Sequence, residues 1–251
     1  MKQPLIQAND LTLQYPNGRL AIDGASVAVG AGELVVILGA NGSGKSTLLR
    51  CIAGMLRPTS GRVEVAGQEI SGLSGRALSD ARMALGMIFQ HACLVRRRSV
   101  LANVLTGTLG RHRTFATALG KLPSAELPHA LACLDEVGLR PLAMQRASTL
   151  SGGQAQRVSI ARALAQRPRA VLADEPVASL DPEAAQEIMR LLRRVSREDG
   201  LGVLCVLHQP ELACCYADRI VGLREGRVMF DEKATQVPDR RVTALYERLA
   251  A

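Results

Sequence analysis

The 251-residue sequence predicts an α/β protein: a mostly parallel sheet with helices on both faces, an N-terminal antiparallel β-subdomain and an inserted α-helical subdomain. Three observations carry that expectation. Short apolar strands alternate with helical segments in the outer parts of the chain. One of them, "GELVVIL" at 32–38, is apolar without a break once past Glu33, as a central strand covered on both faces must be. Residues 91–150, by contrast, show helical segments and no strand pattern.

Taken in order, the first thirty residues alternate with period two. Leu11, Leu13 and Tyr15 fall on one side, and Val27 and Val29 follow the turn "YPNGR". "GRVEVAG" at 61–67 alternates likewise, so these stretches read as half-buried antiparallel strands. After 32–38 comes a glycine-rich turn and then "KSTLLRCIAGML", a helical pattern. Between 91 and 150, "SVLANVL", "FATALGKL", "AELPHALACLDEVGL" and "PLAMQRA" read as short helices punctuated by Gly and Pro. A further helix is expected within "STLSGGQAQRVSIARAL" at 148–164. Strands resume with "RAVLAD" (169–174), "LGVLCVL" (201–207) and the hairpin "RIVGL-REG-RVMF", and "RVTALYERLAA" closes the chain as a helix. No internal repeat or low-complexity linker divides it. The expectation is one domain over 1–251, with 1–90 and 151–251 as the core and its β-subdomain, and 91–150 as the insert.

Composition narrows the functional classes. At 47% hydrophobic and 22% charged the chain can bury a real core, and no apolar run approaches the roughly eighteen residues that span a bilayer. "MKQPLIQANDL" does not read as a secretory signal, so a soluble, cytoplasmic protein is expected. The six cysteines form no CxxC pair and have no histidine at metal spacing. Their apolar flanks suggest small buried hydrophobes rather than a metal or redox site. The net charge of +8 gathers at Arg96–Arg98, Arg111, Arg113, Arg193 and Arg194, which suits nucleic acid, a membrane surface, an acidic partner or simply a solvated face. Three Tyr, three Phe and no Trp argue against a stacking platform for single strands.

The chemistry begins at "GANGSGKS", Gly39 to Ser46, which fits G-x-x-x-x-G-K-[ST] between an expected strand and an expected helix. Its glycines let backbone N–H groups converge on phosphates. Lys45 adds a point charge near the β and γ groups, and Ser46 a hydroxyl for Mg²⁺. This is a nucleoside triphosphate site. "AVLADEP" ends a buried strand in two acids; Asp174 is placed for the Mg²⁺ shell, and Glu175 to orient and deprotonate an attacking water. Ser151, Gly152 and Gly153 open a second helix and form a second anion cradle, because free N–H groups and the dipole end face outward there.

Those motifs, together with "LSGGQ" (150–154), Gln90 in "MIFQ", "ASLD" (178–181) and His208 closing "VLCVLH", make the chain resemble the ATP-binding-cassette (ABC) family over nearly its whole length. The resemblance implies a P-loop NTPase fold with a RecA-like core, and ATP with Mg²⁺ as the bound group. It implies that Gly39, Ala40, Asn41, Gly42, Ser43, Gly44, Lys45, Ser46 and Thr47 hold the phosphates and that Tyr15 stacks on adenine, where sheet packing is the plain alternative. Glu175, His208, Lys45 and Gln90 are the implied catalytic set, with Ser46, Gln90 and Asp174 about the metal. It also resolves the doubled cradle. Two copies of the chain pack head to tail, and Ser151, Gly152, Gly153 and Gln154 serve the ATP held by the other copy, with Asp181 communicating between them. Ala155 stands where many relatives have glutamine, beyond the anion-contacting end.

Within the family, Ser46 and Leu150 lie only 104 positions apart without sustained heptads, which argues against the DNA-repair type with its long coiled coil and leaves a soluble ABC ATPase acting on nucleic acid as the weaker alternative. A single cassette per chain excludes the translation-factor type. With no membrane span of its own, the chain is expected to be the ATPase of a bacterial importer, peripheral on the cytoplasmic face of the inner membrane. Its partners would be permease subunits and, indirectly, a periplasmic binding protein, with no nucleic acid. Residues 90–115 and 207–231 are similar to those of phosphonate-importer ATPases, although His91 and Cys93 depart from the usual choices. The implied cargo is a phosphonate or related phosphorus oxyanion; phosphate or an amino acid is the alternative.

Overall fold

The computed structural model describes residues 3–114, 117 and 121–247. Strands β1 (Ile6–Gln14), β2 (Leu20–Val29), β4 (Ser60–Val65) and β5 (Gln68–Glu69) form a four-stranded antiparallel sheet in the order β2-β1-β4-β5. The second sheet has the order β10-β9-β3-β8-β7-β6. It comprises β3 (Leu34–Leu38), β6 (Leu85–Ile88), β7 (Ala170–Asp174), β8 (Gly202–Val206), β9 (Arg219–Arg224) and β10 (Arg227–Lys233). All its pairings are parallel except β10 with β9, the hairpin foreseen in the sequence.

The unbroken apolar runs have a physical explanation in two cores. Leu34, Val36 and Leu38 of β3 point into a core with the helices α3 (Val100–Leu105), α4 (Leu127–Glu136), α5 (Gly152–Ala165) and α6 (Pro182–Asp199). Val35 and Ile37 point the other way, into a core shared with the antiparallel sheet and helix α1 (Lys45–Ile52). Adjacent side chains of one strand thus meet different partners, and both faces must be apolar. The strands end together: Gly39 follows β3, Asp174 ends β7 and His208 lies just past β8. The loops at these carboxyl ends are where an open α/β sheet binds ligands.

Helix α6 shows how local sequence sets the bounds. Asp181 accepts from the Ala184 N–H at 2.9 Å, Pro182 opens the first turn, and Gly200 at φ 67 stops the helix. Between 91 and 150 the described residues carry helices and an isolated bridge, Ser99 to Arg146, that brings the two ends of this stretch together. The buried Asn103 pins the entrance, accepting from the Val95 N–H at 2.7 Å and donating to Ser99 O at 2.9 Å. Of the expected helix "FATALGKL", residues 115, 116 and 118–120 lie outside the described residues, as do residues 248–251 of the last helix, seen here as α8 (Asp239–Ala244).

Five elements were not individually anticipated: α2 (Gly75–Ala81), α6, α7 (Pro210–Tyr216) and the short strands β5 and β6. The cysteine expectation needs correcting. Cys51, Cys133 and Cys205 are buried, but Cys93, Cys214 and Cys215 are exposed. Apolar neighbours in sequence do not place a residue inward on a short helix such as α7, nor in the irregular stretch after β6 that holds Cys93 at φ 48. Among the described residues no helix is long and apolar enough to cross a membrane.

Candidate active site

The loop from β3 into α1 folds as it does because two positions admit no side chain. A Cβ on Gly39 would sit 2.1 Å from the Leu223 carbonyl oxygen, and one on Gly44, at φ 105, 2.5 Å from that of Ala21. The backbone therefore wraps tightly round the Lys45 ammonium, which is 4% exposed and donates to Gly39 O at 2.8 Å and Ala40 O at 3.0 Å. Burial pushes its pKa down, while the carboxylates of Glu175 and Asp174 oppose that shift. The lysine side chain is thus held in the loop where an anion would meet it. Ser43 Oγ, in the same loop, is buried and has no hydrogen-bond partner among the described residues.

At the loop's end Ser46 Oγ donates to Asp174 Oδ1 at 2.8 Å. Two oxygen donors so close together, one a carboxylate, are a hard-ligand pair of the kind Mg²⁺ takes, so the residues present fit that ion. One residue further, Glu175 adopts φ 51, and its Oε1 lies 2.6 Å from His208 Nε2. A carboxylate only accepts, so Nε2 carries the proton. Tyr15 closes the cleft from the antiparallel sheet, its hydroxyl 3.5 Å from Thr47 Oγ1. It is half-buried, packing against the core and facing the cleft at once, so sheet packing and ligand stacking are compatible. Tyr15, Asn41, Gly42, Gly44, Lys45, Ser46, Thr47, Glu175 and His208 line one cleft of about 200 Å³.

The second cradle is a separate cavity of about 430 Å³, lined by Ser151–Gln154 and by Asp181 with its neighbours. Ser151 caps α5: its Oγ accepts from Gln154 N–H at 3.2 Å while Gln154 Oε1 accepts from Ser151 N–H at 3.0 Å. The two residues form a capping box. Gly152 and Gly153 leave no room for side chains larger than their own hydrogens without crowding, since a Cβ on either would lie 3.3 Å from Leu180 Cδ2 or 3.2 Å from Ala184 Cβ. The two cavities share no residue. One chain therefore offers a phosphate loop with a base in one place and a capped helix N-terminus in another.

Residues 22–178 match the family described as ABC transporter. The chain belongs to the ABC transporter family. A phosphonates import ATP-binding protein (PhnC 3) of Nostoc sp. is 46% identical over 243 residues, covering 96% of this chain and 92% of that one. A phosphite import ATP-binding protein (PxtA) of Stutzerimonas stutzeri is 44% identical over 246 residues, covering 98% and 88%. Among solved structures, a dimeric ATP-binding cassette in a post-hydrolysis state, bound to ADP and phosphate, matches with a TM-score of 0.79 at 33% identity. That alignment covers 91% of this chain and 98% of the other.

In this cassette the sequence-derived site residues gather as two groups rather than one. Gln90 joins neither: it stands two residues past β6, exposed, outside the cleft around Lys45. Asp181 reaches the second cavity, but its carboxylate is engaged in capping α6. Sequence reasoning missed Arg19 and Ala21, which line the nucleotide cleft beside Tyr15. The turn "YPNGR" ties Arg19 to Tyr15, but nothing in its spacing shows what the arginine faces. It also missed the Glu175–His208 contact, which no spacing reveals because 33 residues separate the partners.

Proposed function

We propose that this chain is the ATP-hydrolysing subunit of a bacterial ABC importer for phosphonates or a related phosphorus oxyanion. The observation that carries the ATPase reading is the pairing of Ser46 with Asp174 and of Glu175 with His208 at the mouth of the Lys45 loop. Lys45 binds the β- and γ-phosphates, giving up its contacts to Gly39 O and Ala40 O, and the loop N–H groups from Gly42 to Thr47 complete the cradle. Ser46 and Asp174 would hold Mg²⁺, with Gln90 moving in from outside the cleft to reach it, and the ion would supply neutralisation of phosphate charge. Glu175 takes the proton from water. His208 holds the carboxylate in place and turns to the γ-phosphate, and Tyr15 stacks on the base.

The functional unit is a head-to-tail pair of chains docked on membrane permease subunits. The two separate cavities support this reading, since Ser151–Gln154 of one copy can then close over the other's nucleotide. Residues 91–150 act as the helical subdomain of a single domain whose core is 1–90 and 151–251, at the cytoplasmic face of the inner membrane. A periplasmic binding protein delivers the cargo. The cargo reading rests on the two importer ATPases named above and on their coverage of nearly the whole chain.

The test is reconstitution with the permease and binding protein, with hydrolysis measured for each ligand. Phosphonates or phosphite should stimulate turnover. Stimulation by an amino acid or a metal chelate, with none from phosphonates, phosphite or phosphate, would refute the cargo and leave the ATPase reading intact.

A further inference from the structure

We propose that Arg19 is a nucleotide-binding residue whose guanidinium contacts the α-phosphate. The inference rests on the reading of Gly39–Thr47 as the nucleotide site and extends it to a residue outside every motif.

Arg19 and Tyr15 belong to one rigid turn. The Tyr15 N–H donates to Arg19 O at 2.9 Å and the Gly18 N–H to Tyr15 O at 2.9 Å. Asn17 Oδ1 accepts from Arg19 N–H at 3.1 Å, and Gln14 Nε2 donates to Gly18 O at 3.0 Å. Whatever fixes the ring therefore fixes the start of the arginine side chain as well. That side chain reaches across the cleft: its Nη2 lies 3.9 Å from the point a Cβ on Gly42 would occupy. Among the described residues the guanidinium makes no hydrogen bond or ion pair, whereas Arg111, Arg167, Arg219 and Arg227 are all paired with carboxylates. An unpaired cation over a phosphate loop has an evident counterpart in the ligand.

Position along the cleft selects the phosphate. Tyr15 marks the base end, and Lys45 with Ser46 marks the β and γ end. Arg19 belongs to the turn that carries Tyr15, so its guanidinium enters the cleft from the base end, with Nη2 beside Gly42 of the loop. A guanidinium there meets the inner phosphate, and its planar fork matches two phosphate oxygens. The contact is exposed, so salt weakens it.

The experiment is equilibrium binding of MgADP and MgATP to the intact chain and to Arg19→Ala, Arg19→Lys and Lys45→Ala, at two salt concentrations. Arg19→Ala should weaken both nucleotides by the same factor, about 5–20, the scale of one charge-assisted hydrogen bond at an exposed site. Arg19→Lys should recover part of the loss, and the gap to wild type should narrow as salt rises. Equal binding by wild type and Arg19→Ala would overturn the proposal. So would a loss confined to MgATP, which would move the contact to the γ-phosphate, or one indifferent to salt. If Lys45→Ala also binds normally, the nucleotide-site reading itself fails. If only Lys45→Ala is impaired, that reading stands and Arg19 alone is excluded.

Discussion

Glu175 sits at φ 51, in the left-handed region, and the surrounding backbone keeps it there. Its N–H donates to Val206 O at 3.2 Å and its carbonyl accepts from Ala178 N–H at 3.3 Å. A side chain with a Cβ costs about 1–2 kcal/mol in that conformation, and glycine nothing. Consider Glu175→Ala and Glu175→Gly side by side. Both lose the same part-exposed contact to His208, so that loss cancels in the comparison. Glycine gives up about 0.4–1 kcal/mol more chain entropy on folding. The balance leaves Glu175→Gly more stable than Glu175→Ala by about 0.5–1 kcal/mol, the reverse of the usual order in a helix or strand. For a chain of this size the glycine variant should melt about 1–4 °C higher. The assay is calorimetric melting without nucleotide, with urea unfolding as a second measure. Both variants should also lose about 10²–10⁴-fold in turnover, as befits removal of a general base. Equal melting, or a more stable alanine variant, would refute the claim that this position is strained.

Three further outcomes are expected. Lys45→Ala and Ser151→Arg dimers should each be inactive, yet mixing them should restore hydrolysis, because one site of the mixed dimer carries neither defect; inactive mixtures with proven heterodimers would place Ser151 in its own chain's site. Gly44→Ala should destabilise the fold by about 2–5 kcal/mol, from a strained φ plus a close approach to backbone, read as a lowered urea midpoint. Glu126 accepts from His112 Nε2 at 2.8 Å and Arg167 Nη2 at 3.0 Å, and the His112 hydrogen bond, with Arg111 and Arg167, holds its carboxyl below the usual 4.5 against the opposing effect of burial. Its folded pKa is depressed, so the stability it adds is full above pH of about 4.5 and is lost on acidification below that. Glu126→Gln should unfold more easily at pH 7 and show a flatter acid limb in urea titrations.

What the sequence made legible follows the range of the interactions involved. The central strands and the Lys45 loop are local in origin: an unbroken apolar run, glycines at positions closed to side chains, and a helix after them. Ser46 and Asp174 were legible through motif chemistry although 128 residues separate them. The short strand β6 was not, because four residues without alternation carry no period, and it pairs with the distant β7. Nor was the orientation of Cys214 and Cys215, since α7 is too short for its pattern to define a face. Arg19 stayed unread for a simpler reason. A lone arginine in a turn has no spacing to betray what it faces.

The position of β3 in its sheet has a consequence for the making of the protein. Its neighbours are β8 and β9, so residues 34–38 find no strand partner until Gly202–Val206 and then Arg219–Arg224 exist. At about 5–20 residues per second, a ribosome needs roughly 10–40 s to cover the intervening stretch of about 180 residues. Through that interval "LVVIL" is a nascent, uncharged, strand-prone segment with both edges open, the kind of sequence that finds other chains. The Lys45 loop hangs from this strand, so the earliest motif to be translated is among the last to take shape. Chaperone cover during synthesis, and a yield sensitive to translation speed, are the natural cost of that topology.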